Sequence, residues 1–268
     1  MTSLSFRNQD RKCLDSTVLS FYWGPRAGDI NTTARRLKQF LRDLGAINPH
    51  WSAWKAVPAM RSLKWRNLPA IRRLLAEGMD RSEGGRTVIE DLGFSAWLVS
   101  RSPAEQPFQL KLQFSSLVPG VPNLCVLTCP ASSPAYAEYA RLPVLIEVCE
   151  LVIRHWDPDD GLVISSELHD SLFSGARFDV GWITYRSSRE PLPKLPKEYK
   201  CLNIPNRGTL VFATNEPFSS RRKGHVEAVR KLATLIGKPS PKKPSSAKVG
   251  GGARRTQESG ERVALNLE

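Results

Sequence analysis

The chain has no long hydrophobic run, although 41% of its 268 residues are hydrophobic. No stretch approaches the roughly twenty apolar residues that a membrane-spanning helix needs. The first twelve residues are polar and charged, without the apolar segment of a secretory signal peptide. The hydrophobic residues are therefore available for a folded core, and we expect a cytoplasmic protein without a membrane partner.

Cysteine is also scarce. The five cysteines are an odd number, they include no Cys-x-x-Cys pair, and no histidine lies near them at metal-ligand spacing. This pattern is typical of neither a disulfide framework nor a zinc site. We expect reduced, partly buried thiols, with no bound metal and no cofactor.

The common nucleotide-binding and hydrolase motifs are missing as well. There is no Gly-x-x-x-x-Gly-Lys phosphate loop, no Gly-x-Ser-x-Gly elbow and no Gly-x-Gly-x-x-Gly fingerprint. Nothing among these motifs requires an enzyme.

One acidic stretch is the strongest candidate for catalysis, and it contains Asp157, Asp159, Asp160, Glu167, His169 and Asp170. Carboxylates with a histidine can hold a divalent metal or transfer protons. However, the spacing matches no EF-hand loop, and Asp-Pro-Asp-Asp-Gly is ordinary helix-to-strand turn chemistry. Glu167 and Asp170 also fit the first turn of a short helix capped by Ser165 or Ser166. We therefore favour a structural turn or a protein-contact surface, and an enzyme built on this stretch ranks third among the possible functions.

A second acidic pattern resembles a nuclease signature. Pro158-Asp159 and Glu198-Tyr199-Lys200 spell the Pro-Asp and Glu-x-Lys elements of restriction-endonuclease-like nucleases. Such sites need carboxylates on adjacent strands to hold a metal ion. Glu198 follows the proline-broken stretch 191–197, which is ill suited to a central strand. We expect no catalytic residue here.

The chain is strongly basic, with a formal net charge of +13 and a pI near 9.8. Such a charge favours a nucleic acid, an anionic membrane or an acidic protein as partner. Tryptophan and arginine are densest between residues 49 and 73, where Trp51, Trp54 and Trp65 could stack on bases. The same residues suit half-buried positions beneath the stems of their basic neighbours, which we favour. A basic nucleic-acid-binding protein is the runner-up function.

Hydrophobic periodicity predicts an α+β fold. Alternating or β-branched runs predict strands at 18–22, 94–100, 108–114, 123–129, 162–165, 178–185, 201–204 and 208–214. Helical spacing predicts a first helix capped within Asn31-Thr32-Thr33, and further helices at 68–76, 143–154 and 223–236. We expect a mainly antiparallel sheet with helices packed on it, spanning 18–237. It would lie between an N-terminal extension at 1–17 and a basic tail at 238–268, whose composition predicts disorder.

Six short motifs, in order, resemble the immunity protein 52 family of bacterial polymorphic toxin systems over about Val18 to Ile236. They are Phe21-Tyr22-Trp23-Gly24-Pro25-Arg26, Val88-Ile89-Glu90-Asp91-Leu92-Gly93-Phe94, Trp156-Asp157-Pro158-Asp159, Ser166-Glu167-Leu168, Val180-Gly181-Trp182-Ile183-Thr184-Tyr185 and Thr214-Asn215-Glu216-Pro217-Phe218. The resemblance implies a non-enzymatic α+β antitoxin that binds and neutralises a nuclease toxin with a restriction-endonuclease fold. By analogy with type VI secretion pairs, the implied partner is a secreted DNase.

The matching motifs also supply candidate toxin-binding residues, since protein interfaces are enriched in tryptophan, tyrosine and arginine. The candidates are Trp23, Arg26, Asp157, Asp159, Glu167 and Trp182, which we expect to cluster in space. In the alternative interpretation Trp23 and Trp182 are core residues beside turns. The segment 51–73 is the next candidate for the interface.

Overall fold

A computed structural model describes residues 15–57, 59–82, 85, 87–100, 107–131, 136–168 and 180–237. Most of the predicted N-terminal extension, Cys13, His169, Asp170 and the predicted tail at 238–268 lie outside the described residues. Among the described residues, no helix combines the length and hydrophobicity that crossing a membrane requires.

Within the described ranges, ten strands form one sheet. They are β1 (Thr17–Trp23), β2 (Trp54–Ala56), β3 (Arg61–Ser62), β4 (Phe94–Ser100), β5 (Gln109–Phe114), β6 (Asn123–Cys129), β7 (Asp160–Ser165), β8 (Ile183–Ser187), β9 (Lys200–Ile204) and β10 (Gly208–Phe212). The strand order is β3-β2-β4-β5-β6-β1-β7-β8-β10-β9. Every pair of neighbouring strands is antiparallel. The expectation of an α+β fold with a mainly antiparallel sheet is confirmed.

Five helices are described over their whole length: α1 (Ile30–Ile47), α2 (Leu68–Glu77), α3 (Tyr136–Tyr139), α4 (Leu142–Trp156) and α5 (Lys223–Ile236). A further helical turn is described at 166–168. The predicted cap of α1 was wrong. Asp29 caps the helix, because its carboxylate accepts the backbone N–H groups of Asn31 and Thr32, each at 2.9 Å. Asn31 already belongs to the first helical turn.

One face of the sheet carries the main aromatic core. Leu19, Phe21 and Trp23 alternate along β1 and are buried on this face. The Trp156 ring, at the end of α4, lies parallel to Trp23 with 6.3 Å between ring centroids, and edge-on to Phe40 of α1 at 5.6 Å. Helices α1 and α4 therefore cover the face to which the odd-numbered residues of β1 point.

The opposite face is covered by α5 near one edge. Val211 of β10 is buried with Val180 and with Leu232 and Ile236 of α5. The side chain of Arg186 reaches the Ile236 carbonyl at 3.4 Å and so ties β8 to the end of this helix. The apolar stripe predicted for residues 223–236 thus packs against the sheet.

A glycine makes room for a pair of aromatic rings in the centre of the sheet. Gly161 of β7 lies opposite Phe21 on one neighbouring strand and opposite Tyr185 on the other. A β-carbon at Gly161 would lie 2.2 Å from Cδ1 of Phe21. The absent side chain allows the Phe21 and Tyr185 rings to approach to 6.2 Å between centroids across β7.

The tryptophan-rich segment forms structure that the sequence did not predict. Strands β2 and β3 extend the sheet beyond β4. Trp51 and Trp54 are fully buried, and the indole N–H of Trp65 donates to the Ser52 carbonyl at 2.8 Å. Because Trp51 and Trp54 are buried, they are not available to stack on bases, and the packing interpretation holds for them.

The strand predicted at 178–185 begins later than expected, since β8 starts at Ile183 and residues 178–179 lie outside the described ranges. The backbone N–H of Gly181 donates to the Thr184 hydroxyl at 3.1 Å. A β-carbon at Gly181 would lie 2.3 Å from the Val163 carbonyl oxygen. The tight turn at Gly181 takes the place of strand pairing with β7, so β8 begins only at Ile183.

Candidate functional site

The antiparallel order collects four chain segments at one end of the sheet. Strand β1 ends there at Trp23 and β7 begins there at Asp160. Strand β8 ends opposite the start of β10, so the turns after Ser187 and before Gly208 lie at the same end. We call this end of the sheet the strand-end surface. It brings together residues that are up to 181 positions apart, from Arg26 to Arg207.

Two aspartates and three arginines form an ion-pair cluster on the strand-end surface. Its members are Arg26, Asp157, Asp159, Arg189 and Arg207. Arg26 follows β1, the two aspartates connect α4 to β7, Arg189 follows β8, and Arg207 lies in the β9–β10 turn. The cluster therefore joins four separate connections of the chain.

Asp157 is its most heavily engaged member. This residue ends α4 in the left-handed conformation, with φ 48° and ψ 57°. One carboxylate oxygen, Oδ1, accepts a hydrogen bond from Arg207 at 2.8 Å, and Oδ2 accepts one from Arg189 at 2.9 Å. Asparagine and aspartate tolerate this backbone conformation better than most residues. The turn therefore aims the carboxylate away from the helix and towards two later turns.

Asp159 holds the turn after β1. Its Oδ2 accepts the backbone N–H of Gly24 at 2.8 Å, and its Oδ1 lies 3.1 Å from Arg26 and 2.8 Å from Arg189. Its own backbone N–H donates to the Tyr22 carbonyl at 2.8 Å. The residue thus fixes the Gly24-Pro25 turn from both its side chain and its backbone.

Arg26 binds the end of α4. Its guanidinium donates to the Asp157 carbonyl at 2.7 Å and to the Trp156 carbonyl at 3.3 Å. These carbonyls lie at the helix C-terminus, where a cation is favoured. The contacts orient the guanidinium, and they explain why an arginine follows the turn.

The arginines favour the ionised form of Asp157. Burial alone would raise the pKa of Asp157, but the hydrogen bonds from Arg189 and Arg207 outweigh it and hold that pKa below its usual range. The hydrogen bond to Asp157 raises the pKa of Arg189. Burial, with the charge of Asp157, raises the pKa of Tyr185 to about 12, and its hydroxyl donates to the Arg207 carbonyl at 2.9 Å. The tyrosine is therefore neutral at physiological pH.

The cluster is accessible to a partner and held by a rigid base. Its side chains are between 31% and 49% exposed. Beneath it, the Asn123 amide donates to the Gly24 carbonyl at 2.8 Å, and its oxygen accepts the Ser116 N–H at 2.8 Å. Three arginines face two aspartates within the cluster, and two further carboxylates, those of Asp160 and Glu190, line the adjoining surface with Asp159. The strand-end surface therefore presents oriented groups of both charges.

Two exposed apolar side chains flank this end of the sheet. Leu117 is 43% exposed and Ile89 is 38% exposed. The backbone N–H of Leu117 donates to the Asp91 carbonyl at 2.8 Å, and that of Arg26 donates to the Ser116 carbonyl at 3.3 Å. Leu117 thus belongs to a loop that adjoins Arg26, and Ile89 belongs to the next loop, which bonds the Leu117 backbone. Apolar and charged side chains are combined in this way in protein interfaces.

The structure brings some of the predicted site residues together and separates others. Arg26, Asp157 and Asp159 share the ion-pair cluster. Trp23 lies beneath them but is only 5% exposed. Arg189 and Arg207 were missed, because they lie in turns that the strand order, and not the local sequence, carries to the site.

Glu167 and Trp182 lie at the opposite end of the strands. Glu167 is exposed and accepts the backbone N–H of Ser16, just before β1 begins. Trp182 precedes β8, is 3% exposed and donates its indole N–H to the Thr214 carbonyl at 2.9 Å. Strand β1 has seven residues, so about 20 Å separates its two ends. The predicted cap is present here, since the Ser165 hydroxyl accepts the Leu168 N–H at 3.0 Å.

The described carboxylates are not arranged as a metal site. Across the described part of the chain, no group of three or more His, Cys, Asp or Glu residues is placed to hold a metal ion. Asp157 and Asp159 face arginines instead. Glu198 precedes β9, which β8 and β10 separate from β7, so the two halves of the nuclease-like pattern are not on adjacent strands.

The model of a family described as immunity protein 52 matches residues 17–239. No protein with curated annotation matches the chain significantly. Among solved structures, a type VI secretion system protein of Pseudomonas aeruginosa superposes with a TM-score of 0.50 and 10% sequence identity, over 83% of this chain and 76% of that chain. At this identity the similarity shows a shared fold.

Proposed function

Because the chain belongs to the immunity protein 52 family, we propose that it binds a cognate toxin and neutralises it, and so protects the cell that produces both. Family membership supports the immunity role and carries the proposal. The action is by binding, without catalysis. The arginines that occupy the carboxylates of Asp157 and Asp159 support a binding surface over a metal-dependent active site.

The toxin in this proposal is a DNase with a restriction-endonuclease fold, delivered by type VI secretion. The resemblance of the sequence motifs supports this toxin class, and the fold shared with a Pseudomonas aeruginosa protein of that secretion system agrees with the delivery route. A DNase acts on the chromosome, so its inhibitor would be needed in the cytoplasm.

The net charge bears on how inhibition works. A protein that imitates DNA presents an acidic surface, whereas this chain has a net charge of +13. Basic proteins are attracted to acidic surfaces and repelled by the basic groove of a nuclease. We therefore favour a contact with acidic residues of the toxin outside its DNA-binding groove.

The strand-end surface is the proposed contact. It combines oriented arginines, the aspartates that hold them and the exposed side chains of Leu117 and Ile89. Ordered side chains lose little conformational freedom on binding, which favours affinity. Trp23 supports this surface from below by stacking on Trp156, and does not contact the partner.

The proposal is tested with the protein encoded beside this gene, which the proposal expects to be the toxin. Co-expression of this chain should abolish the toxicity, and the purified proteins should form a complex. Arg26→Glu removes a cation from the contact, and Asp159→Arg removes the carboxylate that orients Arg26 and Arg189. Each should weaken binding at least tenfold, which is about 1.4 kcal/mol. The control is Arg72→Glu, an exposed charge reversal on α2, which should leave affinity within about twofold of wild type.

The double variant Arg26→Glu/Asp159→Arg separates folding from recognition. It restores an ion pair at the site while reversing the charges that a partner meets, so it should fold better than either single variant and still bind weakly. Thermal unfolding measures the stability of each variant, and calorimetric titration measures its affinity for the toxin. Toxicity that persists despite abundant wild-type protein would contradict the immunity role. Tight, steeply salt-dependent binding to DNA of any sequence would favour the nucleic-acid alternative.

A further inference from the structure

Strand β9, at Lys200–Ile204, is the last strand at one edge of the sheet. It pairs with β10 on its inner side, and no strand in the described ranges pairs with its outer side. In an antiparallel sheet, alternate residues of an edge strand direct their N–H and C=O groups outward. The opposite edge is β3, which has only two residues. Strand β9 is therefore the longer of the two open edges.

The connection that leads into β9 does not run along this outer edge. Leu192, Leu195 and Tyr199 pack against the buried cluster that contains Val211 and Leu232. That cluster lies on the face covered by α5, so the proline-rich connection crosses the sheet face. On β9 itself, Lys200, Cys201 and Asn203 are exposed. The backbone of the edge is open to another extended segment.

Charge indicates what kind of segment would fit. Lys194, Lys197 and Lys200 are exposed and form no ion pair within the part of the chain that the structure describes. Between residues 189 and 207 the sequence has five lysines and arginines but only two acidic residues, Glu190 and Glu198. An acidic strand would be attracted to this edge, and a basic one repelled.

The same charges disfavour a second copy of this chain as the occupant. A second copy would bring the same excess of lysines and arginines between residues 189 and 207 against an edge that already carries it. Like charges brought close together repel each other. Lysines at sheet edges also prevent unwanted strand pairing in general. The test must therefore distinguish lysines that recognise the toxin from lysines that only keep other strands away.

We infer that β9 accepts an extended, acidic segment of the cognate toxin, which adds an eleventh strand to the sheet. This inference rests on the proposed function and identifies a second contact of the same complex. Backbone hydrogen bonds would provide affinity, as in other cases of strand addition, and the lysines would select an acidic sequence. Arg207 lies in the turn that ends β9 and also in the ion-pair cluster, so the two contacts are continuous.

The experiment uses as its probe the purified product of the adjacent gene, expected to be the toxin, with its active site disabled. Lys197→Glu/Lys200→Glu should weaken binding at least tenfold. The matched control, Lys64→Glu/Arg72→Glu, makes the same change in net charge at exposed positions near the other edge and should change affinity by less than threefold. In the wild-type complex, hydrogen exchange of the backbone amides of residues 200–204 should slow markedly, because the outward N–H groups become paired.

The outcomes separate this inference from the proposed function. If toxin binds both variants as it binds wild type and exchange at 200–204 is unchanged, strand addition is wrong while the immunity role stands. If hydrogen exchange at residues 200–204 slows when the protein concentration is raised without toxin, a second copy of this chain occupies the β9 edge. That result would overturn the inference. If wild type does not bind the toxin, both proposals fail.

Discussion

Removing the charge of Asp157 should destabilise the fold by an amount that depends on pH. In Asp157→Asn the side chain keeps its size and tolerates the left-handed backbone at φ 48°, but it loses its charge toward three guanidinium groups. Exposed ion pairs contribute about 0.2–1 kcal/mol each, and solvent screens this carboxylate, which is 36% exposed. We expect a loss of about 1 kcal/mol at pH 7, or roughly 2–4 °C in Tm for a domain of this size.

The sign of the pH dependence follows from the lowered pKa of Asp157. A carboxyl whose folded pKa lies below its unfolded value of 3.8 stabilises the fold fully well above that value. The contribution is lost as pH falls through the folded pKa. Wild type and Asp157→Asn should therefore differ by about 1 kcal/mol at pH 7 and pH 6, and converge below about pH 4.

Urea unfolding followed by fluorescence at several pH values measures this difference. Asp157→Ala should be about 1 kcal/mol less stable than Asp157→Asn at every pH, because alanine does not favour the left-handed conformation. Glu216→Gln is the control, since it removes one carboxylate of an exposed pair with Arg222 and should change stability by less than about 0.5 kcal/mol. A difference between wild type and Asp157→Asn that is equal at pH 7 and pH 3 would refute the ion-pair argument.

Two further predictions test the packing beneath the site and the state of the thiols. Gly161→Ala should cost about 1–3 kcal/mol in urea unfolding, because its β-carbon would lie 2.2 Å from the buried Phe21 ring, whereas Gly224→Ala, with nothing within 4 Å, should not destabilise. A stable Gly161→Ala protein would contradict this. In a Cys13→Ser background, a thiol reagent at neutral pH should modify Cys201 before the other cysteines, since those three are buried and burial raises the pKa of their thiols. Rapid modification of more than one thiol in the folded protein would contradict the burial of Cys125, Cys129 and Cys149.

The sequence predicted most elements whose signal is local. The strand at 123–129 and the helix at 223–236 were predicted with their observed bounds. Alternation over seven residues and an apolar stripe over four helical turns each reflect one buried face, and a window of that length contains the whole signal. Strands β2 and β3 have three and two residues, so no local pattern exists for them. They form because β4 offers an edge on which to pair.

The candidate site was likewise predicted only in part from the sequence. The sequence motifs singled out Arg26, Asp157 and Asp159, and the structure brings these three together. Trp23 and Trp182 belong to the same motifs, yet their side chains are buried. A motif does not show whether a residue supports a turn from inside the core or is exposed on its surface. The burial of that residue depends on which helix covers the strand.

The sequence by itself determined the fold class, most of the helices and strands, and the family, because hydrophobic periodicity and short ordered motifs are properties of neighbouring residues. The tertiary structure decided the strand order, and with it the arginines that surround Asp157. Arg189 and Arg207 lie 32 and 50 residues from that aspartate along the chain. They reach it because β8 and β10 are neighbours that present their turns at the same end of the sheet. That adjacency is set by long-range strand pairing, which depends on the packing of the whole domain and leaves no pattern within either turn.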